Sequence, residues 1–70
     1  MRLQDVIIGK FYQHKSTPNY AYARAIDKLK PKERENINNY AVVKCQWSVD
    51  KSEDFGLIKY FRPSDLVEEK

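Results

Sequence analysis

Few residues in this 70-residue chain could carry chemistry. His14 is the only histidine and Cys45 the only cysteine. A thiol beside an imidazole is a familiar nucleophile pair, so these two come first. Cys45, however, lies between Val43 and Trp47 in an alternating apolar run, where a small buried thiol behaves as a hydrophobe. His14 opens the turn-forming stretch His14-Lys15-Ser16-Thr17-Pro18-Asn19 and reads as a loop residue with a local hydrogen bond. The carboxylate pairs Glu53-Asp54 and Glu68-Glu69 fall in a turn and a tail, where solvation keeps two pKa values from separating into an acid and a base. Asp65 with Glu68 or Glu69 offers a cation only weak, incidental ligation. Gly9 and Gly56 are the only glycines, so there is no glycine-rich loop to cradle a phosphate. One Cys and one His make neither an intrachain disulfide nor a structural zinc site. The expectation is a protein that is not an enzyme and carries no cofactor or metal.

Binding is the more productive reading. Tyr22, Arg24, Tyr40, Lys44, Gln46 and Lys59 are expected to face outward on strands. Tyrosines interleaved with Arg and Lys can stack bases and follow phosphates. The same residue types anchor protein interfaces, and they also form ordinary cross-strand pairs. Thirteen basic and ten acidic residues give a net charge of +3, and the pI is near 9.1. That only reaches the threshold of a nucleic-acid binder, and the signs alternate, as in Lys30-Pro31-Lys32-Glu33-Arg34-Glu35. Protein contact or self-association is therefore the first expectation. A nucleic-acid-binding surface using the same face with Lys10, Lys15 and Lys59 is the alternative.

These side chains need a scaffold, and the length allows one domain, residues 1–70. With no staple available, so short a chain must stand on its hydrophobic core. Tyr40 to Val49 has a strict period of two: Ala41, Val43, Cys45, Trp47 and Val49 against Tyr40, Val42, Lys44, Gln46 and Ser48. This predicts a strand with the first set in the core. Val6-Ile7-Ile8 and Phe11-Tyr12 read as two strand pieces bent at Gly9. Tyr20 to Lys30 reads as a strand with Ala21, Ala23, Ala25, Asp27 and Leu29 on one face and Tyr20, Tyr22, Arg24, Ile26 and Lys28 on the other, although a helix capped by Asn19 and ended by Pro31 also fits. Pro31 to Asn39 is an exposed loop, Asp50 to Asp54 a polar turn, and Gly56 to Phe61 a returning strand. Pro63 to Val67 is a short helical turn that brings Leu66 back to the core. The N-terminal residues contain no apolar run of signal-peptide length and no segment reaches the length of a membrane span, so a cytoplasmic location is expected, away from membranes.

The segment Gly56-Leu57-Ile58-Lys59-Tyr60-Phe61-Arg62-Pro63-Ser64-Asp65-Leu66-Val67-Glu68 resembles the closing segment of SH3-like small barrels, where a strand enters a Pro-Ser 3₁₀ turn before a short last strand. The opening Gly9-Lys10-Phe11-Tyr12-Gln13-His14 is similar to short bacterial and phage domains of this type. The resemblance implies a mostly β, five-stranded antiparallel SH3-like barrel with a 3₁₀ turn near the C-terminus; the alternative is α+β with residues 20–30 helical. Because the chain lacks the early Ala-Leu-Tyr-Asp-Tyr run and the Trp pair of proline-peptide binders, that activity is not implied, and fold alone assigns no function. The resulting expectation is a small adaptor or inhibitor of phage or prophage character. Its expected core is Val43, Cys45, Trp47, Val49, Ile58 and Leu66, with Ile26 or the alanine face. With Trp47 fully in that core, truncating it to Ala would cost about 3–5 kcal/mol.

Overall fold

A computed structural model describes residues 1–17, 20–51 and 57–69. The Pro18-Asn19 turn residues, the Glu53-Asp54 pair and the strand start at Gly56 lie outside the described residues. The chain forms strands β1 (Phe11–His14), β2 (Tyr22–Leu29), β3 (Val42–Ser48), β4 (Leu57–Phe61) and β5 (Leu66–Glu68), with 3₁₀ turns at Leu3–Asp5 and Pro63–Asp65. All pairings are antiparallel. They build one five-stranded sheet in the order β4-β3-β2-β1-β5. The sheet is not closed: β4 and β5 are its two edges.

The segment from Tyr22 to Leu29 is therefore a strand, not a helix. Pairing on both sides, with β1 and β3, overrides the helical preference of its alanines. Ala21, Ala23 and Ala25 are buried, and their small side chains let the covering residues approach closely. A bulge interrupts the alternation. Ala25 pairs with Cys45 but Asp27 pairs with Lys44, leaving Ile26 as the extra residue. One extra residue reverses which side each later side chain takes. Leu29 consequently lies opposite Val42, on the face away from Ala25 and Cys45.

Two buried regions result. The larger joins Val6, Tyr12, Ala23, Ala25, Val43, Cys45 and Leu66, with Met1, Leu3, Trp47 and Phe61 packed against it. The N-terminal segment lids this face, and the buried Tyr12 hydroxyl accepts a hydrogen bond from the Ile7 N–H at 2.8 Å. Gly9 then turns the chain into β1 with φ of +92°, a conformation that glycine adopts at no steric cost. Its N–H donates to the Ala25 carbonyl at 2.7 Å. The smaller region holds Leu29 and Val42 on the opposite face.

Between β2 and β3, the loop is organised by Asn36, which is buried. Its Nδ2 donates to the carbonyls of Leu29, Lys30 and Tyr40 at 3.3, 3.0 and 2.9 Å. Its Oδ1 accepts from the Asn38 backbone and side chain, both at 3.1 Å. This amide satisfies carbonyls that would otherwise be stranded beneath the turn. It also holds a loop in which Lys32 and Arg34 take positive φ, 57° and 50°, at some steric cost. The loop expected to be simply exposed thus has a buried polar centre.

Several core assignments need correction. Val6-Ile7-Ile8 is not a strand piece: it follows a 3₁₀ turn, and Ile7 and Ile8 are exposed. Val49, Ile58 and Ile26 lie outside the core and are exposed. Val49 falls past the end of β3, Ile58 points to the face opposite Cys45, and Ile26 is the bulged residue. Val42, placed outside by simple alternation, is buried with Leu29.

Trp47 sits at the core margin, half-buried, with its ring 5.3 Å from Phe61. Phe61 in turn stands 5.3 Å from the His14 ring. Since a part of the indole stays in water, Trp47→Ala is expected to cost about 2 kcal/mol, below the value for full burial. Urea unfolding checks this; loss of all folded signal in water would show that Trp47 is the core's centre.

Candidate functional site

The pleat sorts the residues expected to bind. Arg24 pairs with Gln46, and Lys44 pairs with Asp27 on one side and Tyr60 on the other. Tyr22, Arg24, Lys44 and Gln46 therefore share the face away from the main core, here called the outer face. Each is half-buried rather than fully exposed. Tyr22 lies under Lys51, whose Nζ is 4.9 Å from its ring and 5.5 Å from that of Phe11. Lys51 continues to the Glu69 carboxylate. Phe11 meets Tyr22 edge to face at 6.5 Å.

Tyr40 and Lys59 are not on this face. Tyr40 precedes β3, and the Arg62 guanidinium stacks on its ring at 4.0 Å. Lys59 pairs with Cys45 on the core side, where its ammonium lies 5.8 Å from the centre of the Trp47 ring. The six residues thus divide into an outer group of four and two that make cation–ring contacts elsewhere.

Glu35, which sequence reasoning passed over, anchors the loop end of the outer face. It accepts the Tyr60 hydroxyl at 2.6 Å and the Lys44 ammonium at 3.0 Å. These bonds favour its ionised form: Tyr60 first, then Lys44, hold the Glu35 carboxyl below its ordinary value. The same bond from Glu35 raises Lys44 and Tyr60. Other cations are matched too, Lys10 with Glu68, Lys15 with Asp65, and Arg34 with Asp27 and Glu33. Such exposed pairs add little stability, yet they neutralise much of the basic charge that a phosphate backbone needs. Lys10 and Lys15 are among the residues so engaged.

The thiol and imidazole have separate partners. Cys45 Sγ lies 3.5 Å from the Val43 carbonyl, and burial pushes its pKa up to about 12, which keeps it a protonated, weakly nucleophilic thiol at neutral pH. His14 Nδ1 accepts the Ser16 N–H at 3.1 Å. Among the described residues there is no pocket and no cluster of metal-ligating side chains. No helix there is long and apolar enough to cross a membrane.

Of the five strands, β4 exposes the most large apolar side chains. Leu57 is 67% exposed, Ile58 49% and Tyr60 45%. Leu57 and Lys59 lie on the core side while Ile58 and Tyr60 lie on the outer face, so the strand is apolar and exposed on both. Among the described residues, no strand lies beyond its outer edge. The opposite edge differs: β5 has three residues, and ion pairs from Lys10 and Lys15 flank it at Glu68 and Asp65. Short, charged edges resist pairing, whereas a longer apolar edge invites it. The signal in the sequence is Leu57-Ile58-Lys59-Tyr60-Phe61 itself, in which apolar residues fall on both faces of the strand.

The Glu35 cluster gives a pH prediction. A carboxyl depressed in the folded state contributes stability above its unfolded value, and that contribution is lost as pH falls through the folded value. The difference in melting temperature between the wild type and Glu35→Gln is expected to be full at neutral pH and to shrink as pH drops below 4.5. Thermal melts across pH 3–7 test it; a constant difference would contradict the cluster.

No family model, no curated protein and no solved structure matches this chain.

Proposed function

We propose that this chain is a non-enzymatic binding module that acts through protein contacts, and that it takes its partner by strand addition along β4. The observation that carries this is the edge position of β4 together with exposed apolar side chains on both of its faces. An extended partner segment gains main-chain hydrogen bonds from such an edge, while its alternate side chains contact the two faces. Tyr60 and Ile58 continue onto the outer face beside Lys44 and Gln46, so Tyr22, Arg24, Lys44 and Gln46 form the flank of that surface. Lys59 lies on the strand itself, and Tyr40 under Arg62 stands just beyond its end.

The fold reading proposed with it is an SH3-like barrel opened at β4 and β5. Its support is the placement of β5 beside β1, the Pro63–Asp65 3₁₀ turn before β5, and the curl that sets the His14 and Phe61 rings 5.3 Å apart. An adaptor or inhibitor role in the cytoplasm, of the phage or prophage kind, fits a module of this size. Nucleic-acid binding is the weaker reading because Lys10, Lys15, Arg34, Lys44 and Lys51 each have a carboxylate partner.

A random-peptide display selection on the protein tests this, with amide shifts mapped for the selected peptides. The expected result is enrichment of extended apolar sequences that shift the amides of residues 57–61 and lose affinity in Ile58→Lys. Labelled single-stranded DNA or RNA binding instead, with a steep negative salt slope and weakened by Arg24→Ala or Lys44→Ala, would replace the protein reading with the nucleic-acid one.

A further inference from the structure

We infer that the segment β4 accepts is an acidic–apolar strand from another protein, with a carboxylate set opposite Lys59 between two apolar residues. This rests on the strand-addition reading above and adds the chemistry of the partner. Lys59 is central in β4 and is its only charged residue. Its ammonium leans over Trp47 and forms no ion pair among the described residues. In an added antiparallel strand, the residue opposite Lys59 shares its side of the sheet, and the two neighbours of that residue face Ile58 and Tyr60 across the pleat. An acid at the first position meets the Lys59 ammonium, and apolar side chains at the other two cover the exposed isoleucine and tyrosine. Arg62, over Tyr40, places a second cation just past the strand's end.

The alternative occupant, a second copy, is disfavoured by the same residues. Pairing all of β4 with itself in antiparallel register sets Leu57 against Phe61 and so Lys59 against its own counterpart. Like charges directly opposite destabilise a strand pair. Two copies also each carry a net charge of +3. A pairing of five residues is short besides of the roughly 1,200 Å² that stable interfaces bury.

The test uses three labelled heptapeptides that alternate valine with glutamate, with threonine or with lysine, titrated against the full chain by fluorescence anisotropy at low salt. The acidic peptide is expected to bind about fivefold or more tighter than the basic one, with the neutral peptide between. Lys59→Glu should reverse that order, and Ile58→Lys should weaken all three without shifting the melting curve. Equal binding of the three peptides would overturn the acidic preference and leave strand addition standing. No binding by any of them would overturn both. Sedimentation of the protein as a dimer that Ile58→Lys dissolves would assign β4 to a second copy and overturn the inference.

Discussion

The bulge at Ile26 is the constraint on which the rest of the molecule depends. A chain of this size has one sheet and must bury apolar surface against short connecting segments. If β2 alternated without interruption, Leu29 would follow Ala23 and Ala25 to the main core side, and Val42 would have no partner. The extra residue sends Leu29 to the other face, opposite Val42, where the β2–β3 loop needs something to close over. Asn36 then ties that loop to the carbonyls of Leu29, Lys30 and Tyr40. The closed loop carries Glu35 to Lys44 and Tyr60. The charge arrangement of the outer face thus descends from one inserted residue in the central strand.

Burial on two sides stands in for the intrachain disulfide that a single cysteine cannot form. The main core gathers small side chains from β2 beneath Tyr12, Val43, Cys45 and Leu66, and closes with the N-terminal turn. Among the strands, β4 carries the most exposed large apolar side chains, Leu57, Ile58 and Tyr60. Proteins usually blunt an exposed edge with charges or brevity, as this one does at β5. At β4 the same devices are nearly absent: Lys59 is the strand's lone charge, and it leans back over Trp47. An edge left apolar on both faces is a liability in an isolated domain and an asset in one that pairs with a partner.

Much of the scaffold was legible in the residues. The period of two from Tyr40 to Val49 marked β3, which spans Val42–Ser48, and its buried Cys45, and the alanine face of β2 was visible in Ala21, Ala23 and Ala25. Pro63 marked the 3₁₀ turn that returns Leu66. The errors share a cause. Alternation assigns every residue of a strand to one of two sides, but it cannot register a bulge, so it places Asp27 and Leu29 with the alanines, whereas the bulge at Ile26 sends them to the outer face beside Lys44 and Val42. Val6-Ile7-Ile8 has strand composition, yet its backbone serves a lid whose Ile7 N–H bonds Tyr12. The candidate face was legible as Tyr22, Arg24, Lys44 and Gln46, because these alternate on paired strands. Glu35, Asn36 and the exposure of Ile58 were not, since each depends on which strand ends the sheet and on how a loop folds over it.

Native-state amide hydrogen exchange along β4 tests the central claim, an open edge, most directly. Amides that point away from β3 face no other strand among the described residues, while those between point toward it. An open edge predicts alternation over residues 57–61, with fast exchange at every second amide and protection at the others. Uniform protection across the strand, matching that of β3, would mean that the edge is already covered, and would contradict the claim that β4 is available to a partner.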